Sequence, residues 1–182
     1  VSRISAVYGK ELDNDLLKSE KRKHHILAHF PFPNDGEIGI CLTHFKLWDF
    51  LSKQPEDFSI VFEDDALISD DFFNDLEQLL SQITSKDFLD ISGKEGFYPL
   101  TKNELITTFL MPPVLMIGQI IGRNAAKQLS DNFSNYYAPI DVMKQDVYKH
   151  KVPLSSTNKQ YVVSIDKKMG GSTIQQNNMI GW

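Results

Sequence analysis

A compact apolar run over 58–62 ends abruptly in three consecutive carboxylates, Glu63-Asp64-Asp65. Phe58, Ile60, Val61 and Phe62 favour a pleated, packed strand, whereas three adjacent negative charges repel one another and resist burial. The segment therefore reads as a buried strand whose tip is forced to the surface. Side chains alternate along extended backbone, so Glu63 and Asp65 can point one way and Asp64 the other. In an open α/β sheet, ligands collect at the carboxyl ends of strands, which makes this tip the first candidate site. Its hard oxygen donors suit magnesium or manganese, cations that usually keep water and take further ligands from substrate phosphates. A sugar-nucleotide diphosphate is one fitting guest. The bland alternative is that the carboxylates cap the next helix or stay solvated on a loop.

The flanking segments place this tip in an α/β context. Ile38, Cys41, Leu42, Phe45, Trp48 and Leu51 recur at three- and four-residue spacing, predicting a helix over 37–53. After the tip, Ser69 or Asp70 caps a second predicted helix that runs through Ile83 on Phe72, Phe73, Leu76, Leu79 and Leu80. Further strands are expected over 88–91, 105–110, 114–121 and 161–165, with helices over 124–129 and from Pro139 to near His150. The first residues also read as a strand, followed by a short helix and a loop over 10–35. Strands interspersed with helices predict an α/β sandwich, a mixed central sheet flanked by helices. A length of 182 residues fits one domain, 1–182.

Composition removes several function classes. Apolar residues make up 41% and charged residues 24%, enough to bury a core. Nineteen basic against 24 acidic residues give a net charge of -5, the wrong sign for a chain whose main partner is a nucleic acid. One cysteine, Cys41, forms no internal disulfide, and a reducing, cytoplasmic compartment is expected. The apolar run 109–117 is far short of the roughly 20 residues of a membrane helix, and Pro112 and Pro113 interrupt it.

Four ordered motifs resemble one family. Gly36-Glu37-Ile38-Gly39-Ile40-Cys41-Leu42-Thr43-His44-Phe45-Lys46-Leu47-Trp48 and Ile60-Val61-Phe62-Glu63-Asp64-Asp65-Ala66 are similar to the paired signature of glycosyltransferase family 25. Gln119-Ile120-Ile121-Gly122-Arg123-Asn124-Ala125-Ala126-Lys127-Gln128-Leu129 and Pro139-Ile140-Asp141 resemble its next two landmarks. The resemblance implies a GT-A-like nucleotide-sugar transferase fold. It implies that Glu63, Asp64 and Asp65 stand in the place of a metal-binding Asp-x-Asp element, with Mn2+ or Mg2+ and a UDP-sugar donor. The implied reaction is transfer of a hexose, galactose from UDP-galactose foremost, with inversion to a lipooligosaccharide or lipopolysaccharide acceptor. A lipid-linked acceptor implies work at the cytoplasmic face of the inner membrane, with peripheral contact through the lysines near 18–23. The chain resembles the family from just after its usual first strand and Arg-rich helix, so an N-terminally truncated fold is expected. That expectation motivates a rival reading, a non-catalytic remnant that binds a glycan or partner.

Roles for single residues follow. Inverting transfer needs a base for the acceptor hydroxyl, and Asp141, after a rigid proline at a loop-to-helix junction, is the first choice, the alternative being an ordinary helix N-cap. Asp90 and Glu95 are substitutes. His44, expected on the side of its helix away from several apolar positions, is a candidate contact to diphosphate or acceptor, against a packing role. Glu37 reads as a helix cap before a ligand. His24, His25 and His29 read as part of a solvated basic helix rather than a zinc site, and Gly171-Ser172-Thr173-Ile174 as a turn before a phosphate contact. A phosphoryl-transfer domain is weaker, because no Asp-x-Asp nucleophile with a following Thr is present.

Overall fold

The computed structural model describes residues 2–23, 34–114, 116–134, 138–146 and 150–165. A short 3-10 turn at Gly9–Glu11 precedes α1 (Asn14–Lys23) and α2 (Asp35–Ser52). Next come β1 (Phe58–Phe62), β2 (Ala66–Ile68), α3 (Asp70–Leu80), β3 (Phe88–Asp90), β4 (Phe97–Lys102), β5 (Ile106–Met111) and β6 (Gly118–Gly122). The described part closes with α4 (Arg123–Asn132), α5 (Ile140–Lys144), β7 (Leu154–Thr157) and β8 (Val162–Ser164).

Six strands form one mixed sheet in the order β1-β6-β3-β7-β5-β4, and β2 pairs with β8 in a separate ribbon. Among the described residues, only β3 and β7 run parallel; the other pairings are antiparallel. Alternation along the strands separates two apolar layers. Phe88, Ile121 and Leu154 join Trp48 and Leu51 of α2, Ala126 and Leu129 of α4 and Met143 of α5. Leu89 and Ile120 face the other way, toward Phe72 and Leu79 of α3 and Tyr161 and Val162. This is the expected α/β sandwich, a mixed sheet with helices on both faces.

Local chemistry explains the key boundaries. Asn34 caps α2: its Oδ1 accepts from the Glu37 amide at 2.9 Å, while Glu37 Oε2 accepts from the Asn34 amide at 2.8 Å. This reciprocal capping box gives Glu37 the structural role that its position predicts. Thr43 adds a clasp, accepting from the Val7 amide at 2.8 Å and donating to the Gly39 carbonyl at 2.7 Å. Gly122 closes β6 where a Cβ would stand 2.2 Å from the Ser85 carbonyl oxygen. Backbone must shift to admit any side chain there, so Gly122→Ala is expected to cost about 1–3 kcal/mol in urea unfolding.

Several expectations change. Residues 2–8 form no strand. α3 stops at Leu80, and Ile83 reaches the core from beyond the helix. The strand expected over 114–121 is Gly118–Gly122, because Pro112 and Pro113 keep the preceding segment out of the ladder. The helix after Pro139 spans only Ile140–Lys144, and the late strand is Val162–Ser164. Three strands escaped sequence reasoning. β2 has three residues, β4 is a fully exposed edge strand containing Pro99, and β7 places Ser155, Ser156 and Thr157 in the sheet interior.

Candidate active site

β1 delivers the three carboxylates to a tight turn. The Glu63 amide donates to the Ile117 carbonyl at 3.0 Å, and the Ala66 amide donates to the Glu63 carbonyl at 3.2 Å. Glu63 and Asp64 are exposed and Asp65 is half-buried. Asp65 is tethered to the ribbon: the Ser164 hydroxyl donates to its Oδ2, and the Ile165 amide donates to its carbonyl at 3.0 Å. The tip is therefore a fixed turn between β1 and β2.

Its electrostatics are those of a crowded anionic corner. Glu63 is pushed up to about 7, first by burial of its carboxyl against the protein, then by Asp65, Asp64 and Asp141, with Lys144 opposing. Water still reaches this exposed residue, so surrounding solvent screens the repulsion. The metal-free protein is expected to show a Glu63 carboxyl midpoint near 7 in a 13C NMR titration. The sign follows from linkage: the folded state holds this proton more tightly, so Glu63 favours folding most below about 4.5, and that contribution is lost as pH rises through about 7.

Such a corner suits a hard cation. Among the described residues, no three His, Cys, Asp or Glu side chains converge into a ligand cluster. Glu63 and Asp65 offer hard oxygen donors of the kind magnesium or manganese takes, and an ion held by them would need water and phosphate oxygens for the rest of its shell.

Asp141 lies in the same field, since its charge is among those that raise Glu63. It occupies the first turn of α5, half-buried, and its Oδ1 accepts from the Val142 amide at 2.9 Å. Pro139 holds the N-cap position, so Asp141 is not the cap that its sequence context allowed. One turn on, Lys144 points into the protein with its side chain 1% exposed and its Nζ 3.6 Å from Asp90 Oδ2. Burial drives its pKa down, while Asp90, Asp141 and Glu63 pull it back up.

Asp90 ends β3 in a cross-sheet row of paired residues, Val61-Gln119-Asp90-Ser156-Thr107. Its Oδ1 accepts from the Ser92 amide at 2.8 Å. Its burial removes it from the list of accessible bases. Glu95 is exposed on the loop before β4.

His44 is corrected in its placement. It is buried with Trp48 on the inner side of α2, its ring 6.0 Å from the indole in an edge-on arrangement, rather than turned away from the apolar positions. Its Nδ1 lies 3.0 Å from the Ile40 carbonyl, an acceptor only, so the proton sits on Nδ1 and neutral His44 offers Nε2 as an acceptor. Burial lowers its pKa, with the Lys144 charge adding to the shift and the Ile40 bond opposing it.

Sequence reasoning missed Lys144. The signal was a lysine three residues after Asp141 in a stretch whose Ile140 and Met143 are buried, a spacing that turns both charged groups toward one side of a short helix. Lys18 is exposed, 3.9 Å from Asp15. His24, His25, His29 and the 171–174 turn lie outside the described residues.

Residues 1–114 match the family model described as glycosyltransferase family 25 (LPS biosynthesis protein). No curated protein matches the chain.

Proposed function

The chain belongs to glycosyltransferase family 25, a family of lipopolysaccharide biosynthesis, and from that premise we propose that it transfers galactose from UDP-galactose, with inversion, to a lipooligosaccharide acceptor. The observation that carries this reading is the acidic turn that ends β1, where Glu63 feels the charges of Asp65, Asp64 and Asp141 with Lys144 opposing them. Glu63 and Asp65 would hold Mn2+ or Mg2+, with Asp64 beside them, and the bound ion supplies positive charge against the departing diphosphate. Asp141 takes the proton of the acceptor hydroxyl as that oxygen attacks the anomeric carbon from the face opposite the diphosphate. The C–O bond to the acceptor forms as the bond to the diphosphate oxygen breaks, and the proton remains on the Asp141 carboxyl. His44, through Nε2, accepts a hydrogen bond from a hydroxyl of donor or acceptor; a diphosphate, having no proton to give, is the poorer partner for that nitrogen. Lys144 lies behind the carboxylates and orders them from within.

The acceptor's lipid portion places the reaction at the cytoplasmic face of the inner membrane, with the protein in peripheral contact. Among the described residues, no helix is long and apolar enough to cross a membrane. The test is transfer of labelled galactose from UDP-galactose to purified lipooligosaccharide, with Mn2+ and after chelation by EDTA. Labelled acceptor that disappears on chelation supports the full reading. Transfer that survives chelation removes the cation, and absence of both transfer and UDP-galactose binding by calorimetry replaces the enzyme with a non-catalytic binding domain.

A further inference from the structure

The part of the site that the reaction above leaves least used is its buried interior. Lys144 Nζ and Asp90 Oδ2 lie 3.6 Å apart, with side chains 1% and 2% exposed. The ammonium also sits 5.4 Å from the centre of the Phe88 ring. Met143, Phe88 and Leu154 belong to the apolar layer on this face, so a methionine at 144 would suit its surroundings without any desolvated charge. A buried ion pair costs more to desolvate than its attraction commonly returns, and apolar replacement of both partners is often neutral or stabilising. Stability is thus a weak reason for a cation here. Its charge acts on Asp90, Asp141 and Glu63, and also on His44.

The helix that carries it needs an anchor. α5 has five residues and no side-chain cap at Pro139, too short to hold its shape by its own hydrogen bonds. Ile140 and Met143 pack it into the core and Gln145 donates to the Pro112 carbonyl at 2.5 Å, and two further polar contacts hold its last turn. In front, Lys144 reaches across to the end of β3. Behind, the Lys144 carbonyl, 2.7 Å from His150 Nε2, accepts that nitrogen's proton, because His150 Nδ1 already accepts from the Val152 amide at 3.0 Å. Burial holds His150 below its ordinary pKa, which favours the neutral ring that this pair of bonds requires. Asp141, three residues before Lys144, shares the helix that these contacts fix.

We propose that the buried Asp90–Lys144 ion pair is a positioning device for transfer: by docking the end of α5 onto β3 it sets Asp141 over the acidic tip, and Lys144 is a positioning residue. This rests on the assignment of Asp141 as the base, and two measurements separate the ideas. Lys144→Met alone leaves the Asp90 carboxylate buried without its cation, and its melting temperature is expected to fall by about 10 °C. The double variant Asp90→Asn with Lys144→Met removes both charges, so its melting temperature should return close to that of the native chain. With UDP-galactose and lipooligosaccharide, kcat of this double variant is expected to stay down about 100-fold, as for a displaced reacting group, while the donor KM moves less than about threefold. Native kcat in the stably folded double variant would make the pair merely structural and overturn the proposal. A second readout needs no turnover. Amide exchange at Val142 and Met143, which bond to the Pro139 carbonyl, should speed up at least about tenfold in the double variant while β3 and β6 keep their protection. Unchanged exchange overturns the positioning role whether or not galactose is transferred, whereas faster exchange in a chain that transfers nothing sinks the reaction assigned to the site and leaves the anchor standing.

Discussion

Asp141→Asn is expected to lower kcat by about 10²–10⁴-fold, the range for removal of a general base, with the melting temperature nearly unchanged. Asparagine keeps the size of the side chain and the oxygen that accepts from the Val142 amide, so the first turn of α5 has no reason to reorganise. What disappears is a basic oxygen for the acceptor proton. Donor binding should move less than about threefold, because the loss belongs to the chemical step rather than to the ground state. Steady-state kinetics with UDP-galactose and lipooligosaccharide, beside a thermal melt, read both quantities. Native kcat would move the base elsewhere, and Glu95, the exposed substitute, would be the next residue to replace.

Trp48→Ala is expected to destabilise the fold by about 3–5 kcal/mol, the usual cost of emptying an aromatic site in a core. Trp48 is fully buried, with His44, Phe45 and Phe133 ring centres 6.0, 6.1 and 5.8 Å away. It joins α2 to α4 in the layer that also supports α5, so little room exists for the neighbours to collapse. The loss is a large share of the roughly 5–15 kcal/mol that holds an ordinary domain together. Trp48→Phe should cost less than half as much, because the buried indole Nε1 has no hydrogen-bond partner among the described residues and its removal relieves an unsatisfied donor. Urea unfolding at matched m-values checks both. A phenylalanine variant as unstable as the alanine variant would show that indole shape, rather than apolar volume, sets the packing.

The sequence was most legible where pattern and burial agree. The apolar stripe of α2 and the Asn34–Glu37 cap each carry a local signal that tertiary structure had no cause to override, whereas the strand before the acidic tip, expected to be buried, keeps its bounds but lies at the sheet's edge, half-buried and with Ile60 exposed. The tip's chemistry was legible too, because adjacent carboxylates after an apolar strand have few comfortable places to go. Legibility failed where a residue's role depends on what arrives from far along the chain. β7 looks polar because its Ser155 and Ser156 meet partners on β3 and β5 that periodicity cannot reveal. β4, exposed along its length and shifted in register between Pro99 and Thr101, has no buried face to create alternation. His44 looked peripheral on its own helix, yet it is buried beside Trp48, and Lys144 carried no sequence signal of the Asp90 that β3 places opposite it.

The tether between the Ser164 hydroxyl and Asp65 joins residues 99 positions apart. During synthesis, β1 and its carboxylates leave the ribosome long before the segment that pins them, so the emerging chain carries an untethered acidic turn. Contacts of such long sequence separation are slow to close. The acidic corner is therefore fastened late, and a chain cut short before β8 would hold all six strands of the main sheet while Asp65 lacked its Ser164 partner.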